Sequence, residues 1–160
     1  MTNALNLVAP VDTLAMDFTR EFDAPAAAVF RAHADADVFR RWIGPRGLAM
    51  EITRWDFRTG GGYRYIHSDN TGSYAFNGVF HTVRPDELII QTFEFEGAPD
   101  AVNIDYLWFE PLGEARSRLR GRSICPTLQA RDGLLGSGME GGMAEGYQKL
   151  DELLSGTEFA

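Results

Sequence analysis

The feature that most constrains the fold is a run of six consecutive strand-like segments joined by short turns. Alternating polar and apolar residues predict strands at 51–57, 63–67, 74–83, 87–95, 102–109 and 115–125. Glycine, proline, asparagine and aspartate mark the connections, which are too short for crossover helices. The sequence therefore predicts that these six strands form an antiparallel meander.

A strand and two short helices precede this meander, and a long helix follows it. Residues 14–22 alternate as a first strand. Residues 26–33 and 35–42 predict two short helices, the first with Asp23 as its N-cap candidate and the second with Asp35 or Asp37, and Gly44-Pro45 ends the second. Beyond the strands, apolar residues recur at spacings of three and four, as in an amphipathic helix: Met139, Met143, Tyr147, Leu150 and Leu154. The predicted fold is α+β, a curved antiparallel sheet of about seven strands wrapped around the C-terminal helix.

Length and composition predict one domain. A chain of 160 residues with 44% hydrophobic content can bury a sizeable core without a metal or a disulfide. No internal repeat or linker divides the pattern. We expect a domain over residues 14–155, preceded by an N-terminal arm at 1–13 and followed by a tail at 156–160.

The charge balance argues against two classes of partner. Fifteen basic and twenty-three acidic residues give a net charge of -8, which would repel nucleic acid and an anionic membrane surface. Cys125 is the only cysteine, so no intramolecular disulfide can form and a cytoplasmic location is expected. No apolar run has the length of a membrane span, and no basic residue precedes Arg20, as a signal peptide would require.

Five local motifs occur in a characteristic order. They are Phe22-Asp23-Ala24-Pro25, Trp42-Ile43-Gly44-Pro45, Asp56-Phe57-Arg58-Thr59-Gly60-Gly61, Val83-Arg84-Pro85-Asp86-Glu87-Leu88 and Glu145-Gly146-Tyr147. Over roughly residues 14–155 the chain resembles the START-like, or SRPBCC, helix-grip superfamily, and within it the homologues of the C-terminal domain of the heat-shock-protein-90 ATPase activator. The resemblance implies a helix-grip fold with an internal pocket. Arg41-Trp42 and Gly146-Tyr147 replace the Trp-Trp and Gly-Trp pairs frequent in that family, which implies a differently shaped pocket.

Strand parity places many aromatic side chains on the face toward the last helix. In residues 51–57, Thr53, Trp55 and Phe57 share one face because successive side chains point to opposite sides. Any one of these rings would suit an ordinary core, but their number favours a cavity between sheet and helix. The predicted ligand-binding residues are Trp42, Trp55, Phe57, Tyr63, Tyr65, Tyr74, Phe76, Phe80, Trp108, Met139, Met143 and Tyr147.

The last strand carries an arginine ladder on one face, formed by Arg116, Arg118, Arg120 and Arg122. Small residues such as Ser117, Gly121 and Ser123 occupy the other face and are expected inside, where they leave room beside the helix. The arginines are expected in solvent, paired across the sheet with acidic neighbours such as Asp105 or Glu94.

No catalytic constellation is recognised in the sequence. Gly136, Gly138 and Gly141 match G-x-G-x-x-G but lack the flanking strands of a dinucleotide-binding unit. His33, His67 and His81 fall on different elements, which does not indicate a metal site. We therefore assign no catalytic residue, no metal and no cofactor, and take His67 and Glu51 as candidate polar groups of the pocket. Parity favours His67 over His81.

Three functions remain open from the sequence. The leading hypothesis is noncatalytic binding of a small hydrophobic or aromatic molecule in an internal cavity, as a carrier or sensor. The first alternative is an enzyme of cyclase or hydrolase type in the same pocket, with a general acid or base drawn from Glu51, His67, Tyr74 and His81. The second is a chaperone-associated interaction module that uses the arginine ladder. The sequence leaves the oligomeric state open, a homodimer included.

Overall fold

One eight-stranded antiparallel sheet dominates the computed structural model, which describes residues 3–156. Its strands are β1 (Asn6–Val8), β2 (Ala15–Phe22), β3 (Ala49–Asp56), β4 (Gly62–Asp69), β5 (Gly72–Arg84), β6 (Leu88–Phe95), β7 (Asn103–Pro111) and β8 (Ser117–Ile124). The spatial order is β1-β2-β8-β7-β6-β5-β4-β3. The predicted meander of β3 to β8 is confirmed, and β2 pairs with the final strand of that meander.

The sheet has one strand more than predicted. Residues 6–8, expected within an N-terminal arm, form β1 and pair antiparallel with residues 17–19 of β2. Leu7 lies opposite Phe18 in this pair. A strand of three residues is too short to display an alternating pattern, which is why the sequence did not reveal it. Residues 1–2 of the predicted arm and 157–160 of the predicted tail lie outside the described part of the chain.

Within residues 3–156, four helices pack with the sheet: α1 (Ala26–Ala34), α2 (Ala36–Trp42), α3 (Leu128–Gly136) and α4 (Met139–Leu154). Of the two predicted cap candidates, Asp35 caps α2: its carboxylate accepts a hydrogen bond from the Asp37 amide at 2.9 Å. Pro25, and not Asp23, occupies the N-cap position of α1. Gly44, with φ of 78°, then redirects the chain after α2 toward β3.

Helix α3 was not predicted. Thr127 caps it by accepting a hydrogen bond from the Ala130 amide at 3.0 Å, and Arg131 is its buried residue. Its sequence contains Gly133 and Gly136 and has no clear apolar stripe, so the pattern gave no helical signal. The long C-terminal helix α4 was predicted correctly over residues 139–154.

An ion pair between a buried arginine and a partly exposed aspartate fastens α4 to β2. The Arg20 guanidinium is almost fully buried and donates to both carboxylate oxygens of Asp151, at 3.1 and 2.6 Å. The same guanidinium lies over the Phe22 ring, 4.8 Å from its centroid. Tyr147 and Leu150, which precede Asp151 in the same helix, are buried in the core. These contacts hold the helix across the inner face of the sheet.

A β-bulge changes which residues of β3 face inward. The register with β4 shifts between Ile52 and Arg54, so Thr53 is exposed, contrary to its predicted inward position. Met50 and Ile52 pack against the core before the bulge, and Trp55 packs against it after the bulge. The extra residue restores the inward direction of the aromatic end of the strand.

Candidate functional site

A cavity of about 690 Å³ lies between the inner face of the sheet and helices α2 and α4. The predicted lining residues that lie at its wall are Trp42, Trp55, Phe57, Tyr63, Tyr65, Tyr74, Phe76, Phe80, Met139, Met143 and Tyr147. The structure therefore brings these side chains together around one space. Their role in ligand binding stays a prediction.

Trp108 lies outside this set. Its ring stacks with Tyr106 at 5.5 Å, and the Arg120 guanidinium lies 4.0 Å from its centroid on the outer face of the sheet. The inner side of β7 instead carries Leu107 and Phe109, whose side chains pack in the core. The predicted parity of β7 was wrong because both faces of this strand carry large apolar residues, so the pattern alone did not identify the inner face.

Of the two candidate polar residues, the structure places only His67 at the cavity. Glu51 is exposed, because Met50 and Ile52 on either side of it take the inward positions of β3. His67 is buried at the cavity wall, with its ring 5.3 Å from that of Tyr65. His81, the less favoured histidine, is exposed.

The two indoles of the wall are fixed by the end of α1. Trp42 Nε1–H donates to the Ala32 carbonyl and Trp55 Nε1–H donates to the Ala34 carbonyl, each at 2.9 Å. Both carbonyls belong to the last turn of α1, where no intrahelical amide remains to bond them. The indole N–H groups are thus satisfied by backbone, and the rings contribute apolar surface to the wall.

The buried tyrosines of the wall are neutral. Burial raises the pKa of Tyr63, Tyr65 and Tyr147 above the ordinary phenol value. The Tyr63 hydroxyl donates a hydrogen bond to the Thr92 carbonyl at 2.7 Å. The oxygen of the Tyr63 hydroxyl in turn accepts one from Gln91 Nε2 at 3.4 Å. The tyrosines therefore supply ring surface and fixed hydroxyls, and no charge at neutral pH.

Two buried histidines also line the cavity without carrying charge at neutral pH. Burial lowers the pKa of His33 to about 4, although the hydrogen bond from Nδ1 to the Val29 carbonyl, at 2.8 Å, opposes this shift. Burial also lowers the pKa of His67, and the positive charge of Lys149 lowers it further. Within residues 3–156, Nδ1 of His67 has no hydrogen-bond partner. A Cβ on Gly44 would lie 2.8 Å from Nε2 of His67, so this glycine leaves the space that the imidazole occupies.

One carboxyl group at the cavity wall, that of Asp105, was not predicted from the sequence pattern. Asp105 follows the inward parity of Leu107 and Phe109, lines the cavity, and accepts a hydrogen bond from the Ser123 hydroxyl at 2.6 Å. Burial raises its pKa to about 6, and the Ser123 hydrogen bond opposes the rise. From the sequence, Asp105 was expected outside with the arginines, and that position followed from the same error in β7 parity that misplaced Trp108.

The arginine ladder lies on the outer face of the sheet, as expected, but its partners differ from those predicted. The acidic partners are Asp23 for Arg116, Glu21 for Arg118, Glu110 for Arg120 and Asp17 for Arg122, at 3.1, 3.7, 3.3 and 2.7 Å. Asp105 faces inward, and Glu94 accepts a hydrogen bond from Asn77 Nδ2 at 3.2 Å. Ser117, Leu119 and Gly121 are buried on the opposite side of the strand, as expected.

Three further features of residues 3–156 concern metal ions, membranes and the cysteine. In the part of the chain that the structure describes, no group of three or more His, Cys, Asp or Glu side chains is placed to hold a metal ion. Nor does any helix within residues 3–156 have the length and apolar character needed to cross a membrane. Cys125 is buried, and burial raises the pKa of its thiol, so the reactive thiolate is disfavoured.

An antiparallel sheet gripping a C-terminal helix, with a cavity between them, defines a helix-grip protein of the START-like class. Within that class, the chain belongs to the family described as "Activator of Hsp90 ATPase homolog 1-like protein", whose model matches residues 23–155. The comparison with curated proteins gave no match.

Solved structures share this fold, two of them over nearly the whole chain. A protein from Arthrobacter aurescens is 25% identical with a TM-score of 0.84, and the match covers 94% of this chain and 91% of that one. A protein from Rhodobacter sphaeroides is 21% identical with a TM-score of 0.86, and the match covers 95% of this chain and 98% of that one. An HSP90 activator from Plasmodium falciparum is 20% identical with a TM-score of 0.54, and the match covers 69% of this chain and 72% of that one. Because the Rhodobacter and Plasmodium proteins are 21% and 20% identical to this chain, their similarity shows the fold alone.

Proposed function

We propose that the protein binds a small apolar or aromatic molecule in the cavity, as a carrier or sensor. The observation that carries this proposal is the cavity of about 690 Å³, whose wall is mainly aromatic and aliphatic. Such a volume is within the range that holds a small organic ligand. Transfer of an apolar molecule from water to this space is favourable by about 25 cal/mol for each Å² of apolar surface removed from water.

The chemistry of the wall supports an apolar ligand over a strongly polar one. The indoles of Trp42 and Trp55 already have backbone partners, so their remaining surface favours contact with carbon. Met139 and Met143 of α4 add flexible, polarizable side chains that adapt to ligands of different shape. The nearby histidines and tyrosines are uncharged at neutral pH, which reduces the number of charges that an apolar ligand would have to desolvate.

Tryptophan fluorescence provides a direct test. Trp42 and Trp55 line the cavity and Trp108 lies on the outer face, so a Trp108→Phe protein reports from the cavity wall. Titration with the neutral dye N-phenyl-1-naphthylamine is expected to quench this emission saturably, with one dye bound per chain, and to enhance the emission of the dye.

A matched pair of substitutions shows whether the dye occupies the cavity. Ser123→Phe adds a ring at the cavity wall, whereas Ile124→Phe adds the same ring next to it on the exposed side of β8. We expect Ser123→Phe to weaken dye binding and Ile124→Phe to leave it unchanged. Equal binding by both proteins would exclude the cavity as the site. Native mass spectrometry of protein purified from its own host would then identify any small molecule that accompanies the chain.

A further inference from the structure

Polar side chains lie side by side in one row across the inner face of the sheet. Gln91 of β6 pairs with Asp105 of β7, and Asp105 pairs with Ser123 of β8. Phe80 of β5 and Met16 of β2 continue the row at its two ends. All five residues line the cavity, so the row forms a polar patch between two apolar neighbours.

The hydrogen bonds within the row leave acceptors unsatisfied. The Ser123 hydroxyl has one proton and donates it to Oδ1 of Asp105 at 2.6 Å, so its own oxygen keeps lone pairs for a further donor. A carboxylate has two oxygens with about four acceptor positions, and Ser123 supplies the one side-chain hydrogen bond that Asp105 receives from residues 3–156. Asp105 also keeps accessible surface at the cavity wall. The patch is therefore rich in acceptors.

Among the described residues that line the cavity, Asp105 is the acidic side chain and supplies the negative charge. The groups whose pKa responds to its charge are the hydroxyls of Tyr63, Tyr65 and Tyr147 and the thiol of Cys125, all of which burial keeps neutral at pH 7. His33 and His67, also at the wall, have pKa values lowered by burial. Arg122, at the cavity edge, is bonded to Asp17 on the outer face.

We propose that Asp105 and Ser123 form the polar subsite of the cavity and accept a hydrogen bond from the ligand. The ligand class is then an apolar or aromatic body that carries a hydrogen-bond donor, a hydroxyl or an amine, in preference to a carboxylate or another anion. A donor at this position replaces hydration that Asp105 loses by burial, whereas an anion is repelled by the carboxylate. This inference rests on the proposed function, since it names the ligand class of the same cavity.

Four probes with one shared ring system test the subsite: naphthalene, 2-naphthol, 2-naphthylmethylamine and 2-naphthoate. Each displaces N-phenyl-1-naphthylamine from the wild-type protein, from Asp105→Asn and from the exposed control Asp86→Asn, at pH 8. We expect the wild type and Asp86→Asn to bind the alcohol and the amine at least about tenfold more tightly than 2-naphthoate, as for hydrogen bonds to a charged acceptor. In Asp105→Asn, the ratio of the affinity for the alcohol or the amine to the affinity for 2-naphthoate should fall about tenfold. The affinity for naphthalene should be unchanged.

A pH comparison provides a second test that needs no substitution. At pH 5, below the Asp105 pKa of about 6, the wild-type preference against 2-naphthoate should shrink relative to pH 8, because the protonated carboxyl no longer repels the anion and can donate to it. If the dye and naphthalene bind but the ratio is the same at both pH values, or is unchanged in a folded Asp105→Asn, the subsite is wrong and the cavity remains a binding site. If none of the probes and not even the dye binds the wild type, the proposed function itself fails.

Discussion

A Cβ atom on Gly146 would lie 3.0 Å from the carbonyl oxygen of Trp42. The same atom would lie 3.3 Å from the amide nitrogen of Gly44, so both neighbours are backbone atoms that cannot rotate away. Gly146 therefore lets α4 approach the end of α2 without a side chain between them. This approach places Tyr147 next to Trp42, with their rings stacked at 5.8 Å.

Substitution of this glycine should cost stability relative to a matched site in the same helix. Alanine in place of a helical glycine usually stabilises a protein by about 0.5–1 kcal/mol. We expect that gain for Gly141→Ala, where an added Cβ meets nothing within 4 Å. Gly146→Ala should be at least about 1 kcal/mol less stable than Gly141→Ala because the added methyl group forces the two backbones apart. Urea unfolding of both proteins measures the difference, and equal stabilities would show that α4 can shift freely.

The ion pair between Arg20 and Asp151 should matter more than its neighbour on α4. Asp151→Asn leaves the buried Arg20 guanidinium without its charged partner, and we expect a loss of about 2–4 kcal/mol in the free energy of unfolding. Glu152→Gln removes an ion pair with Arg46 that is exposed, so little change is expected. Thermal and urea unfolding at pH 7 would test this order. A stability loss in Glu152→Gln as large as that in Asp151→Asn would contradict it.

Acidification should weaken the protein through His33. Its folded-state pKa of about 4 lies below the ordinary value of 6.5, so the unfolded chain takes up the proton first as pH falls. The neutral ring contributes on the order of 3 kcal/mol to the free energy of unfolding. This contribution is complete above pH 6.5 and is lost as the pH falls from 6.5 to 4. In His33→Phe the unfolding free energy should fall less steeply over this window. The exposed His81→Gln is the control and should follow the wild type.

Asp105 should change the free energy of unfolding in the opposite direction over a similar range of pH. Its folded-state pKa of about 6 lies above the ordinary 3.8, so the folded protein binds the proton more tightly than the unfolded chain does. Burial of the ionised carboxylate therefore costs stability above pH 6, and this cost disappears as pH falls to 3.8. Asp105→Asn should raise the unfolding free energy at pH 7 by about 2 kcal/mol and give little gain at pH 4. A gain that is the same at both pH values would mean that the carboxyl is not the cause, and Asp86→Asn should show no gain at either.

The parts of the fold that were predictable are those with long, regular patterns. The strands of the meander and the sixteen residues of α4 each repeat their period several times, so local errors do not hide them. Strand β1 has three residues and α3 contains two glycines, and neither offers such a repeat. Asp35 was recognisable as one of two cap candidates because its side chain acts on an amide two residues away, within the same short stretch of sequence.

The site was predictable where strand parity was unambiguous. Tyr63, Tyr65 and His67 alternate with Arg64, Ile66 and Ser68 without a bulge, and all three face the cavity. In β3 a bulge at Thr53 interrupts the alternation, which no local sequence signal marks. In β7 the two faces are similarly apolar, and their assignment depends on packing against α1 through Phe109 and Phe30, whose rings lie 5.2 Å apart. Asp105 could be placed only once that contact was known.

The hydrogen bonds from Trp42 and Trp55 to α1 also limit how the cavity can diversify. Replacing either indole with a smaller ring would reshape the wall and, at the same time, leave a terminal carbonyl of α1 without its donor. Phe57, Phe76 and Phe80 line the same space without any side-chain hydrogen bond to lose. Variation among relatives, or laboratory evolution toward a new ligand, should therefore accumulate at the phenylalanines while the two tryptophans are retained.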